Sequence, residues 1–123
     1  MKISIAILAA AGLAVPTASV AQQPDPAQVR EFSQAANAFT TCLGATVKVG
    51  MMAKMDPAVF KEGFAKSCMD EQLRFRALAI EVSMATGKLR ADAEAEIDGN
   101  IANGRRIYAD DQERYIRTGR VPK

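Results

Sequence analysis

The sequence predicts an all-α protein, a three-helix bundle built on an antiparallel helical hairpin that carries one disulfide. No segment keeps the apolar–polar alternation of a half-buried strand. After residue 21, proline occurs only at positions 24, 26, 57 and 122, which leaves three long stretches compatible with helices. The chain has two cysteines, and they lie at equal distances along the chain from Met55, beside the turn indicated by Asp56-Pro57.

Residues 1–21 have the pattern of a cleaved signal peptide. Lys2 gives a positive start, residues 3–15 are uncharged and mostly apolar, and Ser19 and Ala21 are the small residues that a signal peptidase requires. The alternative is an uncleaved anchor or a buried N-terminal helix. Cleavage after Ala21 predicts a periplasmic or secreted protein of the Gram-negative type, with residues 22–123 as a single all-helical domain and no integral membrane segment.

Helix 1 is predicted over residues 25–54. Asp25 is a favourable N-cap, and Pro26 suits the first helical position. Steps of three and four residues define one buried face. That face contains Val29, Phe32, Ala36, Phe39, Leu43 and either Thr46 or Val47. Gly44 and Gly50 weaken the second half of this helix.

Helix 2 is predicted over residues 57–86, with Asp56 as its N-cap and Gly87 ending it. Its apolar residues form two stripes on nearly opposite sides. The first stripe contains Phe60, Phe64, Cys68, Phe75, Leu78 and Val82, and the second contains Met69, Leu73, Ala77, Ile80 and Met84. Since neighbours in a three-helix bundle meet adjacent faces, either helix 2 is central in a flatter arrangement or the second stripe meets a partner. The candidate interaction face is therefore Met69, Leu73, Ile80 and Met84.

Helix 3 is predicted over residues 90–118, with acidic residues near its start and arginines near its end, as the helix dipole favours. Its apolar face contains Leu89, Ala93, Ile97, Ile101, Gly104, Tyr108 and Tyr115. We interpret Gly99 and Gly104 as close-packing or kink positions, and a break at either glycine is the alternative. The arginines, from Arg105 to Arg120, are interpreted as a solvated helix end.

A disulfide between Cys42 and Cys68 is the most specific structural prediction. Residues equidistant from the turn of an antiparallel hairpin stand level with each other, and packed helices bring such residues within disulfide range. Export to an oxidising compartment favours the bridge over free thiols. A redox-active pair is the rival interpretation, but reactive cysteines are usually close in sequence.

Several activities are excluded or disfavoured by composition. The chain has no histidine, which removes histidine-based catalysis and histidine metal sites. Its net charge of +2 gives no basis for nucleic-acid binding. Met51 and Met55 share a helix face and could hold Cu(I), but a role in filling gaps in the packing suits them better. Glu71 could be a buried acid, but a position at the edge of the stripe, in solvent or paired with Arg74, suits it better.

The sequence therefore predicts no catalytic residue, no cofactor and no metal site. Its function stays unknown, and the preferred hypothesis is an exported, non-enzymatic helical interaction module. Such a module would bind an unidentified protein partner, or associate with itself, through the second stripe of helix 2. The alternatives are a binder of a small ligand or Cu(I) in a groove between helices 1 and 2, and a periplasmic chaperone-like helical protein.

Overall fold

The computed structural model describes residues 23–123, which form four α-helices: α1 (Pro26–Met52), α2 (Pro57–Phe64), α3 (Met69–Ala85) and α4 (Arg90–Thr118). This range contains no strand, so the all-α prediction is confirmed. No helix within it combines the length and the apolarity that crossing a bilayer requires. The predicted signal peptide lies outside the described residues.

Two aspartate–proline pairs start α1 and α2 at the predicted residues. Asp25 Oδ1 accepts a hydrogen bond from the Ala27 N–H at 3.0 Å. Asp56 Oδ1 accepts from the backbone N–H groups of Ala58 and Val59, at 3.0 and 3.2 Å. Each aspartate therefore satisfies backbone donors that the first helical turn leaves without a partner.

The prediction of a single second helix is wrong, because residues 65–68 separate α2 from α3. Cys68 stands at the N-cap of α3 with φ of 57°, in the left-handed region. A residue in that conformation cannot continue a right-handed helix. The apolar stripe runs through the interruption, since Phe60, Phe64 and Cys68 keep a spacing of four, and periodicity therefore could not reveal it.

The core lies where α1 packs against α3 and where α4 crosses the other three helices. Phe32 and Phe39 of α1 stack on Phe75 of α3, each with a distance of 5.6 Å between ring centroids. The buried apolar members of the core are Phe39, Leu43, Val47, Phe60, Phe64, Ala79, Ile80, Ala93, Ile97, Ile101 and Ala109. The predicted faces of helices 1 and 3 therefore supply most of this core.

Helix α4 is continuous through Gly99 and Gly104, so the alternative of a break there is wrong. The close-packing interpretation is also wrong, because a Cβ added at either glycine would meet nothing within 4 Å. Leu89, predicted on the buried face, is 73 % exposed at the N-cap of α4. It precedes the first helical turn, where helical periodicity no longer fixes the direction of a side chain.

Ion pairs join α4 to its neighbours at the surface. Arg76 of α3 donates from Nε and Nη2 to the two carboxylate oxygens of Asp98, at 2.6 and 2.9 Å. The hydrogen bond from Arg76 lowers the pKa of Asp98, and the same contact raises the pKa of Arg76. Lys61 of α2 donates to Glu113 at 2.6 Å, which raises the pKa of Lys61.

Candidate functional site

The predicted disulfide joins the middle of α1 to the start of α3. The Cys42 and Cys68 sulfurs are 2.00 Å apart, and their Cα atoms are 6.0 Å apart. The prediction from equal spacing is confirmed even though helix 2 is broken, because α2 and residues 65–68 still return the chain to the level of Cys42. The disulfide therefore joins α1 to the second arm of the hairpin at the point where that arm is interrupted.

Glu71 lies beside this bond and is a candidate metal ligand. One of its carboxylate oxygens and the sulfurs of Cys42 and Cys68 lie within 4.8 Å of one another. Both sulfurs are bonded to each other, and a metal would need them as thiolates. While the disulfide is intact, this group therefore offers a metal a single half-buried carboxylate.

The candidate interaction face of helix 2 is divided between core and surface. Ile80 is buried, and Met84 packs against the core from a half-buried position. Leu73 is 58 % exposed and Met69 is 40 % exposed, one helical turn apart. The residues that could contact a partner without opening the core are thus Met69 and Leu73.

Arg105 of α4 occupies the break between α2 and α3. Its guanidinium donates to the backbone oxygens of Phe64 and Ser67, at 2.9 and 2.6 Å, and to Gln72 Oε1 at 2.5 Å. It also lies 5.6 Å from the ring centroids of Phe39 and Phe64. Desolvation by burial lowers its pKa. The interpretation of the C-terminal arginines as a solvated end is therefore wrong for Arg105, which donates to the last carbonyl of α2 and to a carbonyl of the link that follows.

Gln112 is a second polar residue that the sequence interpretation missed. It is fully buried, and its Nε2 donates to the Met55 carbonyl at 2.9 Å, which ties α4 to the link between α1 and α2. Its Oε1 has no hydrogen-bond partner among the described residues. The sequence held one indication, because the predicted apolar face jumps from Tyr108 to Tyr115, and position 112 fills that gap.

An apolar pocket of about 360 Å³ lies between the second half of α1 and the second half of α4. In each of the two helices, the residues that line the pocket recur about once per helical turn. The lining residues are Gly44, Val47, Lys48, Met51, Met52, Tyr108, Asp111, Tyr115, Val121 and Pro122. The last two belong to the segment after α4, so the chain end forms one edge of the pocket.

A glycine of α1 and a tyrosine of α4 face each other in the wall of the pocket. Gly44 faces Tyr108, and a Cβ added at Gly44 would lie 3.8 Å from a ring carbon of that tyrosine, an ordinary contact. Tyr108 packs against the core, whereas Met52 is 74 % exposed at the rim. The pocket is therefore lined mostly by apolar and aromatic side chains that leave space between the two helices.

The acidic and the basic side chain that line the pocket differ in whether they form an ion pair within the described residues. The carboxylate of Asp111 accepts a hydrogen bond from Arg114 at 3.3 Å. Lys48 makes no ion pair with any of residues 23–123. A second cavity, of about 310 Å³, is lined by Lys54, Tyr115, Ile116 and Gly119. Tyr115 lines both cavities, which places Lys54 next to the pocket.

The sequence suggested a groove between helices 1 and 2, but the pocket lies between α1 and α4. Its walls come from α1 and α4, because α3, the longer part of the predicted helix 2, packs directly against α1, and α2 packs mainly against α4. Met51 lines the pocket, whereas Met55 contributes its carbonyl to Gln112 and its side chain to the core edge. Spacing along one helix could not show which helix would stand opposite.

Comparison with protein-family models, with curated proteins and with solved structures found no match to this chain.

Proposed function

We propose that this protein is exported and acts as a non-enzymatic binding module whose binding site is the pocket between α1 and α4. The observation that carries the proposal is the combination of size and lining in this pocket. It measures about 360 Å³, and it is lined mainly by methionine, valine, tyrosine and proline side chains.

The size suits a small organic molecule. Ligand pockets typically measure about 300–1,000 Å³ and are mostly apolar, with a few polar groups that orient the ligand. A closed apolar cavity of about 150 Å³ already binds benzene. The pocket therefore has room for a bicyclic ring system or an alkyl chain of moderate length, and Lys48 and the two tyrosines supply polar groups.

Export is supported by two independent features. Residues 1–21 have the charge, apolar run and small residues of a signal peptide. Cys42 and Cys68 form a disulfide, which persists in oxidising compartments such as the periplasm or the extracellular space. A periplasmic or secreted location is the simplest one that accounts for both.

The experiment is a fluorescence titration with N-phenyl-1-naphthylamine, an uncharged apolar probe whose emission rises on leaving water. We expect saturable binding at one site. Met52→Glu replaces an apolar side chain at the pocket rim with a charged one and should weaken binding about tenfold, since the bound probe would lose an apolar contact and would partly desolvate the new carboxylate. Val49→Glu is the matched control: Val49 is 63 % exposed on the same helix and does not line the pocket.

Two results would contradict the proposal. One is a probe signal that rises linearly without saturation, which would indicate nonspecific association. The other is equal binding by both glutamate variants, which would place the probe away from the pocket. Thermal unfolding of both variants serves as the check that their folds are intact, because both positions are exposed.

A second candidate function is association with a protein partner, or between two copies, through Met69 and Leu73. The supporting observation is that two large apolar side chains one turn apart are exposed on α3. Leu73→Asp should then abolish a concentration-dependent oligomer seen by sedimentation. Strictly monomeric behaviour of the unmodified protein at high concentration would count against self-association.

A further inference from the structure

The cations near the pocket lack carboxylate partners. Lys48 lines the pocket and Lys54 lines the adjoining cavity, and neither forms an ion pair within residues 23–123. The carboxylate of Asp111 is already engaged by Arg114 at 3.3 Å. Two positive charges therefore remain beside the pocket without a carboxylate partner in the described chain.

The same region has a distinct apolar wall. Val47 is buried, Met51 packs against the core, and Met52 and Val121 extend the apolar lining to the rim. A ligand in this pocket would thus meet carbon and sulfur along most of its length. It would meet ammonium groups toward Lys48 and, through the cavity shared at Tyr115, toward Lys54.

We propose that the pocket binds an anionic amphiphile, a single molecule with an alkyl or aryl body and one carboxylate or similar anionic head. The body lies against Val47, Met51 and Met52, and the head lies toward Lys48. This inference rests on the proposed binding function and names its ligand class. Opposite charges favour such a head over a neutral or cationic one, and apolar burial supplies most of the affinity.

The length of the body follows from the volume of the pocket. A benzene-sized molecule occupies a cavity of about 150 Å³. The pocket of about 360 Å³ therefore accepts a body larger than a single ring, and the opening at the exposed Met52 lets one end of the molecule reach solvent. A saturated ten-carbon chain is a suitable probe, because it can be obtained with three different head groups.

The test is isothermal titration calorimetry with decanoate, decanol and decylamine, all below the concentrations at which they aggregate. We expect decanoate to bind about tenfold more tightly than decanol, with decylamine the weakest, since a charge-assisted hydrogen bond separates the first two. Lys48→Gln should remove the preference for decanoate and leave decanol binding unchanged. Lys66→Gln is the matched control, because Lys66 is exposed in the link between α2 and α3 and lines neither cavity.

The outcomes separate this inference from the proposed function. Equal binding of decanoate and decanol, unaffected by Lys48→Gln, overturns the anionic head but leaves a pocket that binds apolar molecules. No binding of any of the three, together with no saturable binding of N-phenyl-1-naphthylamine, overturns both. Binding to vesicles of anionic phospholipid without binding to monomeric decanoate overturns the inference in favour of a membrane surface.

Salt provides a second readout that a structural role of Lys48 would not change. Raising the ionic strength should reduce the advantage of decanoate over decanol, because Lys48 is exposed and its charge is screened. The affinity for decanol should stay nearly constant over the same range. An advantage of decanoate that does not depend on salt would place the head away from an exposed ammonium group and would overturn the assignment to Lys48.

Discussion

The two sides of α1 differ in how closely they meet their neighbours, and two glycines show the difference. A Cβ at Gly50 would lie 2.5 Å from ring carbons of Phe60 in α2 and 3.4 Å from Gln112 in α4. A Cβ at Gly44 would lie 3.8 Å from Tyr108 in α4, an ordinary contact. The region around Gly50, together with the disulfide and the break between α2 and α3, is called here the closed side. The region around Gly44 contains the pocket and is called the open side.

This difference separates stability from binding. The closed side holds buried rings, a covalent bond and the hydrogen bonds of Arg105, so changes there should lower the free energy of unfolding. The open side has exposed rim residues and unfilled space, so changes there should alter ligand affinity and leave the fold intact. Substitutions on each side can test the division, and they follow in order of decreasing expected effect.

Removing the disulfide should have the largest effect on stability. Replacing both Cys42 and Cys68 with Ala should lower the free energy of unfolding by about 3.5 kcal/mol, because the unfolded chain regains the entropy of an open loop. Urea unfolding, with and without reductant for the unmodified protein, measures the change. A reduced protein as stable as the oxidised one would show that packing alone fixes the closed side.

Replacing Arg105 with Met should destabilise the protein by about 2–3 kcal/mol, because the Ser67 carbonyl and Gln72 Oε1 lose a charged donor in a partly buried place. The Phe64 carbonyl keeps its hydrogen bonds from the Ser67 N–H and hydroxyl. Arg106→Met is the matched control, since Arg106 is exposed and, among residues 23–123, pairs only with Asn103 and Asp110 on its own helix. Its effect should stay within about 0.5 kcal/mol. Equal losses in the two variants would contradict the role given to Arg105.

The two glycines give the most direct comparison of the closed and open sides. Gly50→Ala should cost about 1–3 kcal/mol, because Phe60 is buried and has to move away from the new methyl group. Gly44→Ala should be neutral or should stabilise the protein by up to about 1 kcal/mol, since alanine favours helix and the new contact is ordinary. Thermal unfolding measures both, and a larger loss for Gly44→Ala would reverse the assignment of the two sides.

The surface ion pair Arg76–Asp98 belongs to neither the closed side nor the open side. Removing it should have the smallest effect on stability. The hydrogen bond from Arg76 lowers the pKa of Asp98 below its usual value of 3.8. The stabilisation that this ion pair gives is therefore present above pH 3.8 and disappears as the pH falls through the lowered pKa of Asp98. Arg76→Gln should reduce the loss of stability between neutral and strongly acidic pH, measured as the urea midpoint. An unchanged acid dependence would show that the pair contributes nothing.

The elements that the sequence predicted correctly depend on neighbouring residues or on simple spacing. Asp25 and Asp56 cap their helices through residues two and three positions away. The predicted helix 3, which is α4, begins and ends as predicted, since its acidic start, its arginine-rich end and its regular apolar face are local features of the sequence. The pairing of Cys42 with Cys68 required only the position of one turn.

The missed features depend on contacts between distant parts of the chain. The break at Cys68 is held by Arg105 from α4, and the pocket exists because α4 stands opposite Gly44 and Met51. The second stripe of helix 2 could not be divided into buried Ile80 and exposed Leu73 until the positions of α1 and α4 were known. One helical face looks the same in sequence whether a neighbour covers it or not.

The sequence by itself determined that the described chain is helical, where α1, α2 and α4 begin, and which cysteines pair, because these follow from capping, periodicity and chain connectivity. Only the tertiary structure decided that helix 2 is broken, that Gln112 is buried and Arg105 half-buried, and that a pocket lies between α1 and α4. The physical reason is that burial and cavities arise where side chains from separate helices meet, and the fit between them is a property of three-dimensional packing.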